Sequence, residues 1–490
     1  LALSATVGRP VVFRCAADDT TQRVVLDLSA SDAYTAAYIG DYIDEYDAHP
    51  VDFVLVDRVD ITGTHEGGGW HIQSSSFNAI LNSRIHDTGT VSLDGAGGVL
   101  INGNEIRPAC YNVIMGNQIY NTPYEGIYVG AGGHPQENNH THFNHLIGNR
   151  IDTRGDVPTA LLENAIDIKE YNTANVIERN VIGPCDLATV YNGAVSVMQQ
   201  AHHTLVYGNR FQDVRAGVAA GVHYVLGVEG HATGVQVFNN VLHLPGGEPD
   251  RLFGIFVQGD GLVESLVAHN SISGTGGGLL LADSGVTDVT VAANIIACVQ
   301  PLEDWSTGAV DLSHNLYTIA PSSYESEPGR QVGDPHFAGA AAGDLRLTEA
   351  SGLAIDRACA VVPVVTRDAA CQLRGVLTDI GAYEWVAATP APESPTPQPG
   401  ALVRSVFPNP FNPRTTIALA LPRSEPVRLA IHDLAGRRVR LLVDATLAAG
   451  EHRIVWDGAD DRGAALASGV YLCVLESVSA VRGHTLVLVR

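Results

Sequence analysis

The feature that most restricts the fold of this chain is a short motif that returns about every thirty residues. Asparagine, any residue, then Ile, Leu or Phe follows an alternating apolar run at Asn117-Gln118-Ile119, Asn149-Arg150-Ile151, Asn180-Val181-Ile182 and Asn209-Arg210-Phe211. It continues at Asn240-Val241-Leu242, Asn270-Ser271-Ile272 and Asn294-Ile295-Ile296, in steps of 32, 31, 29, 31, 30 and 24 residues. Ahead of most of these asparagines stands a second short run: Ile166-Asp167-Ile168, Val195-Ser196-Val197, Leu226-Gly227-Val228 and Ile255-Phe256-Val257. Two apolar residues flanking one outward residue is the period of a β-strand. Each repeat therefore holds two or three short strands joined by Gly/Asn turns, and one such unit cannot bury its own apolar face. Stacked at about 4.8 Å per coil, each covers the next and an Ile/Val core becomes continuous. An Asn at one place in every coil suits a left-handed bend, and its amide can bond to the Asn of the next coil.

Composition agrees with an all-β chain. Gly reaches 51, while there are only 11 Phe and 2 Met, the balance of a protein rich in tight turns. At 490 residues the length suits several domains or one elongated repeat. The 29 basic and 53 acidic residues leave a net charge of −24. That argues against nucleic acid or an anionic membrane surface as partner, and a polyanionic substrate would need a local cation to reverse the field. No window of about 18 apolar residues exists, so no membrane span is expected. The chain opens on Leu1 without a charged start and apolar core, so any signal peptide has been removed or lies outside this sequence. The seven cysteines are Cys15, Cys110, Cys185, Cys298, Cys359, Cys371 and Cys473. Cys359 and Cys371 could bridge, or all could be buried thiols, and no C-x-x-C metal pair occurs.

The spacing and the Asn column over most of residues 60–300 resemble the pectate-lyase-like superfamily of right-handed parallel β-helices. Residues 1–60 then read as irregular first coils. The run from His314-Asn315-Leu316-Tyr317 through Asp334-Pro335-His336-Phe337 to Asp379-Ile380-Gly381-Ala382-Tyr383-Glu384 resembles the closing segment of secreted bacterial β-helices, which covers the open edges of the last coil. The β-helix is expected over 1–386. Residues 387–400 hold five prolines and read as an extended linker. Beyond it, Phe407-Pro408-Asn409-Pro410-Phe411-Asn412-Pro413 and the runs Val427–Ile431 and Arg453–Gly458, with turns at Leu434–Arg437 and Ala467–Tyr471, fit a small immunoglobulin-like β-sandwich over 401–490. These segments resemble the type A sorting domain of the type IX secretion system, itself similar to an immunoglobulin-like fold of the flagellar hook-capping protein. The resemblance implies partnership with that secretion machinery and a monomer secreted to, or held on, the outer surface of a Gram-negative bacterium.

A β-helix carries lyases, hydrolases, esterases, adhesins and tailspikes alike, so function must come from outward side chains. Alignment on the Asn column puts Asp167, Ser196, Gly227 and Phe256 in one outward file and Lys169, Met198, Glu229 and Gln258 in the next. Lys169 is the only lysine, and Glu163-Asn164-Ala165-Ile166-Asp167-Ile168-Lys169 resembles the strand of alginate lyase and chondroitinase B relatives, and of family-nine-like pectate lyases, that carries the base lysine. That resemblance implies β-elimination of a uronic-acid-containing, hence anionic, polysaccharide, with Lys169 taking the C5 proton. This role requires a depressed pKa. It also implies calcium on the substrate carboxylate, held by Glu163 and Asp167, with Glu229 a weaker ligand or a substrate contact. Where the family has Arg-His-Gly, this chain has Gln199-Gln200-Ala201-His202-His203. His202 or Tyr128 is then expected to replace the missing general acid, with Gln199 and His203 touching substrate.

Each motif also has a structural reading. An Asp-x-Lys is often a solvated ion pair, and His202 and His203 suit a turn. His134, His140, His142 and His145 suit a loop wall as well as a metal site. Glycoside hydrolysis needs convergent carboxylates, but polygalacturonase signatures are missing and Gln199-Gln200 alone does not support an esterase. A non-catalytic surface protein that binds glycan or mediates adhesion is the alternative from another class.

Overall fold

In a computed structural model, the chain divides into two compact units, one formed by Val12–Ala387 and the other containing Ala388–Arg490. The structure describes residues 11–14, 23–28, 37–40, 51–64, 68–88, 97–104, 107–122, 124–130, 140–152, 162–187, 193–198, 200–216, 223–228, 231–246, 252–258, 264–282, 288–305, 310–358, 365–374, 377–386, 402–407, 411–421, 423–432, 438–466, 469–477 and 481–488. The prolines of 387–400, the turn Leu434–Arg437, and His134 and Cys359 lie outside these residues.

The larger unit is a parallel β-helix. Every coil contributes a three- or four-residue strand such as Val113–Met115, then a short strand such as Gln118–Tyr120, then a longer one such as Tyr124–Gly130. All pair in parallel with the same strand of the next coil, as in Ile114↔Leu146↔Ile177↔Val206 and Ile119↔Ile151↔Ile182↔Phe211. The inward files are wholly buried: Ile114, Leu146, Ile177 and Val206 on one wall, Ile127, Ile166, Val195, Leu226 and Ile255 on another. The first coils obey the same rule, since Val24–Asp27 pairs with Val59–Thr62 and Ala37–Ile39 with Trp70–Ile72.

The predicted Asn column is a continuous hydrogen-bonded ladder. Asn117 Nδ2 donates to Asn149 Oδ1 at 3.0 Å, and the pattern repeats through Asn180, Asn209, Asn240, Asn270, Asn294 and Asn315. Each amide also donates to a carbonyl about one coil back, as Asn209 Nδ2 does to Ile177 O at 2.9 Å. The bend differs from expectation in one respect. The residue before each Asn takes the left-handed conformation, from Gly116 (φ 68°) and Gly148 (61°) to Arg179 (52°) and His314 (56°). A second ladder runs five residues upstream, through Asn78, Asn112, Asn144 and Asn175. Beside it, Phe53, Phe77, Tyr111 and Phe143 stack face to face with centroids 5.3, 5.1 and 5.0 Å apart.

The main ladder ends on a carboxylate. Glu327 Oε1 accepts from both the backbone N and Nδ2 of Asn315 at 2.9 Å, and its Oε2 accepts from the Tyr317 hydroxyl at 2.9 Å. The closing segment then packs along the outside of the coils. Leu345 and Ala382 meet Val241, while Ala354 and Ile380 meet Ile295 and Leu316. Cys371 in this segment is a free thiol, as are the buried Cys110, Cys185, Cys298 and Cys473.

The smaller unit is an antiparallel sandwich. One sheet holds Leu402–Phe407, Thr415–Leu421 and Gly450–Trp456, and the other Arg438–Leu447, Glu425–His432, Gly469–Ser477 and Val481–Leu488. Strict alternation in Thr415–Leu421 buries Ile417 and Leu419, which pack with Phe411, Leu429, Ile431, Trp456 and Leu475. Gly469–Tyr471, expected as a turn, instead opens a strand.

Candidate active site

The long-strand wall carries the site. Parallel register stacks one outward file, Tyr38, His71, Leu100, Tyr128, Asp167, Ser196, Gly227, Phe256, Leu280 and Glu303, each directly above the next. Ile166 and Ile168 point into the core, so Asp167 and Lys169 share the opposite face. Lys169, the only lysine of the chain, folds back onto Asp167. Its Nζ lies 2.7 Å from Asp167 Oδ2 and 5.6 Å from the centroid of the Tyr128 ring one coil earlier. Gly130 makes room for this: a Cβ there would sit 2.7 Å from Tyr128 Cε1 and 2.8 Å from Lys169 Cγ.

Burial sets the electrostatics. The Asp167 side chain is 2% exposed and the Lys169 side chain 26%, and Asp167 Oδ1 has no hydrogen-bond partner among the described residues. Burial works against the Lys169 charge, but the salt bridge to Asp167 outweighs it and holds the ammonium above its ordinary pKa. A raised pKa is opposite to what a base lysine needs, and burial raises Asp167 as well, against the pull of Lys169. Tyr128 is pushed up by burial, against the pull of Lys169, and keeps its proton.

A carboxyl that the sequence reading passed over completes the cluster. Glu125 lies on the Tyr128 strand, opposite Asn164 of the next coil, and a register shift between Tyr124 and Glu125 leaves Glu163 as the extra residue of a bulge. Burial first, then the charges of Asp167 and Glu163, push Glu125 up to about 8, against the pull of Lys169. Asn164 donates from Nδ2 to Ser196 Oγ at 2.6 Å and to Gly193 O at 2.8 Å, tying this coil to the next. The signal for Glu125 was available in Tyr124-Glu125-Gly126-Ile127-Tyr128, which aligns one coil before the Lys169 strand.

The other expected site residues do not join this cluster. His202 sits in a turn, where its Nδ1 accepts from Thr233 N at 3.1 Å, and burial and then His203 hold it below its ordinary pKa. His203 occupies the left-handed position of the same turn (φ 52°) and is exposed. His142 plays the equivalent turn role one coil earlier, accepting from Thr173 N at 3.0 Å. Gln199 and Glu229 lie outside the described residues. Glu163 and Asp167 do not fit a calcium site: Asp167 Oδ2 is taken by Lys169, and no three His, Cys, Asp or Glu side chains converge among the described residues. Calcium asks for six to eight oxygens. Grooves also lie elsewhere among the described residues. One of about 700 Å3 is bounded by Ser273, Thr318, His336 and Phe337, where the closing segment meets the short-strand wall. Its lining includes Asp334 and His336, whose Oδ2 and Nδ1 lie 3.6 Å apart on exposed side chains, in contrast to the buried pair at Lys169.

Among known families, the FlgD Ig-like domain matches residues 412–480. A search of curated proteins finds no match. Among solved structures, PorZ, an essential bacterial surface component of the type-IX secretion system of Porphyromonas gingivalis, is 26% identical over 18% of this chain and 11% of its own, with a TM-score of 0.14. Pectate lyase Pel9A is 13% identical, covering 78% of this chain and 82% of its own, with a TM-score of 0.34. A tailspike protein of the E. coli bacteriophage HK620, in complex with a hexasaccharide, is 10% identical over 92% and 77%, with a TM-score of 0.36. The chain spans far less than two thirds of PorZ. No helix among the described residues is long and apolar enough to cross a membrane.

Proposed function

We propose that the β-helix unit cleaves a uronic-acid-containing polysaccharide by β-elimination, with Glu125 as the proton-transferring group and Lys169 as the electrophile. The observation that carries this is a carboxyl held near pKa 8 beside an ammonium fixed in its charged form. The Lys169 ammonium receives the uronate carboxylate and stabilises the negative charge that builds on it as C5 loses its proton. Ionised Glu125 takes that proton. The C4–O4 bond breaks with its electrons on O4, a C4–C5 double bond forms, and Glu125 returns the proton to the leaving oxygen. A group with a pKa near neutrality suits both halves of such a transfer. Asp167 is a positioning residue that keeps Lys169 charged and in place. Calcium has no assigned step.

The test is the ultraviolet absorbance of the unsaturated product on a panel of polyuronates. Glu125→Gln and Lys169→Ala should each lower the rate by about 10²–10⁴-fold, the usual worth of a positioned acid–base group. Wild-type rates in Glu125→Gln would overturn the assignment, and binding of glycan without product would favour the adhesion reading. The C-terminal unit we assign to export through the type IX machinery. This rests on the sequence resemblance, and a chain lacking 401–490 should stay inside the outer membrane of its host.

A further inference from the structure

Trp305 is 52% exposed, while Trp456 and Trp70 are buried. The ring is held. Its Nε1 donates to Glu303 Oε1 at 2.9 Å, and Glu303 Oε2 accepts from Gln300 Nε2 at 2.7 Å. The polar edge of the indole is thus satisfied within the protein, and the exposed part is the apolar surface.

Its position on the wall is the second observation. The register Ile168↔Val197↔Val228↔Val257↔Leu281↔Asp304 is continuous. The residue after each forms one outward file in sequence order Lys169, Met198, Glu229, Gln258, Ala282 and Trp305, of which Glu229 lies outside the described residues, and Trp305 N donates to Leu281 O at 2.8 Å. Lys169 and Trp305 therefore stand five coils apart on one face, about 24 Å at 4.8 Å per coil. We infer that Trp305 is a distal subsite that stacks on a pyranose ring of the same polysaccharide that Lys169 engages. A chain of about five sugars, at roughly one coil spacing each, spans the two. Aromatic faces take the apolar C–H face of a sugar while its hydroxyls stay in water.

This rests on the proposed function, and the experiment separates the two. Oligouronates of graded length are titrated into the full chain while tryptophan fluorescence and product formation are followed. With Trp305→Ala, oligomers of six or more sugars should bind roughly tenfold more weakly, the scale of one lost aromatic contact. Trimers should bind as to wild type, and Trp305→Phe should recover most of the loss. Equal weakening at every length, or none at any length while Lys169→Ala still abolishes cleavage, overturns the subsite and leaves the lyase reading standing. A wild-type chain that neither binds nor cleaves any oligomer overturns both.

Discussion

Replacing Asn209 by Ala tests whether the ladder carries the stability of the solenoid or only decorates its turn. The wild-type amide is wholly buried and makes four bonds. Nδ2 donates to Ile177 O at 2.9 Å and to Asn240 Oδ1 at 3.0 Å, while Oδ1 accepts from Asn180 N at 2.9 Å and Asn180 Nδ2 at 3.0 Å. In Asn209→Ala, Asn240 Oδ1 keeps the bond from Asn209 N and Asn180 Nδ2 keeps Leu146 O. Asn180 N and Ile177 O each lose the bond made here. Two buried polar groups left short at about 1–3 kcal/mol each predict a loss of roughly 2–6 kcal/mol. Asn209→Asp keeps the acceptor and loses both donations, so it should be destabilised too and should recover partly in acid as its carboxyl protonates. Because each coil meets only its neighbours, hydrogen exchange should quicken at residues 176–182 and 205–212 and not at 54–62. A denaturant midpoint within about 0.5 kcal/mol of wild type, or exchange quickened evenly along the solenoid, would refute the reasoning.

Three further outcomes follow from the same geometry. Since the chain has one lysine, reductive ¹³C-methylation followed by NMR should give, beside the terminal amine, a single Lys169 signal that titrates above a free lysine; Asp167→Asn should bring it down, and no response to that change would remove Asp167 as the cause. Glu125 has a folded pKa raised above its unfolded value, so its stabilisation is present below about 4.5 and is lost as pH rises through about 8; Glu125→Gln should flatten the pH dependence of unfolding in that window. The cleavage rate should rise through about the same pH 8 as the carboxyl ionises, and a rate falling across that range would exclude it as the base. Glu327→Gln keeps an acceptor for Asn315 and should be tolerated, whereas Glu327→Ala should destabilise the last coils in a thermal melt.

The fold was readable because its cause is periodic in the sequence. The Asn-x-apolar motif reports the bend, the wall and the core at once, and Ile166-Asp167-Ile168 falls where the spacing put it. The second ladder was equally present, as an Asn or Thr five residues upstream of Asn117, Asn149, Asn180 and Asn209. It was missed because Asn112, Asn144 and Asn175 open strands instead of following an apolar run. The site was legible only in part. Asp167 and Lys169 share a face by alternation alone, and vertical register put Tyr128 beside them. The protonation states were hidden, since they depend on how deeply each group is covered.

That division has a physical source. Residues two apart on a strand lie about 6.6 Å apart on one face, near enough for a lysine to fold back on an aspartate wherever the strand is placed. The 2.7 Å pair at Asp167 and Lys169 is therefore a property of one coil. Whether such a pair serves as a base or as a cation is settled by the neighbouring coil. A lone buried lysine would lose its charge, and a lysine over a buried carboxylate keeps it. Here the preceding coil adds Glu125, whose own carboxyl is driven toward its neutral form by the charges of Asp167 and Glu163 as well as by burial. The proton that a base lysine would have carried is thus displaced onto a carboxyl one coil away. Lys169→Ala should accordingly push Glu125 higher still, because the attraction of the ammonium for its charge disappears, and the pH dependence of unfolding should shift upward with it.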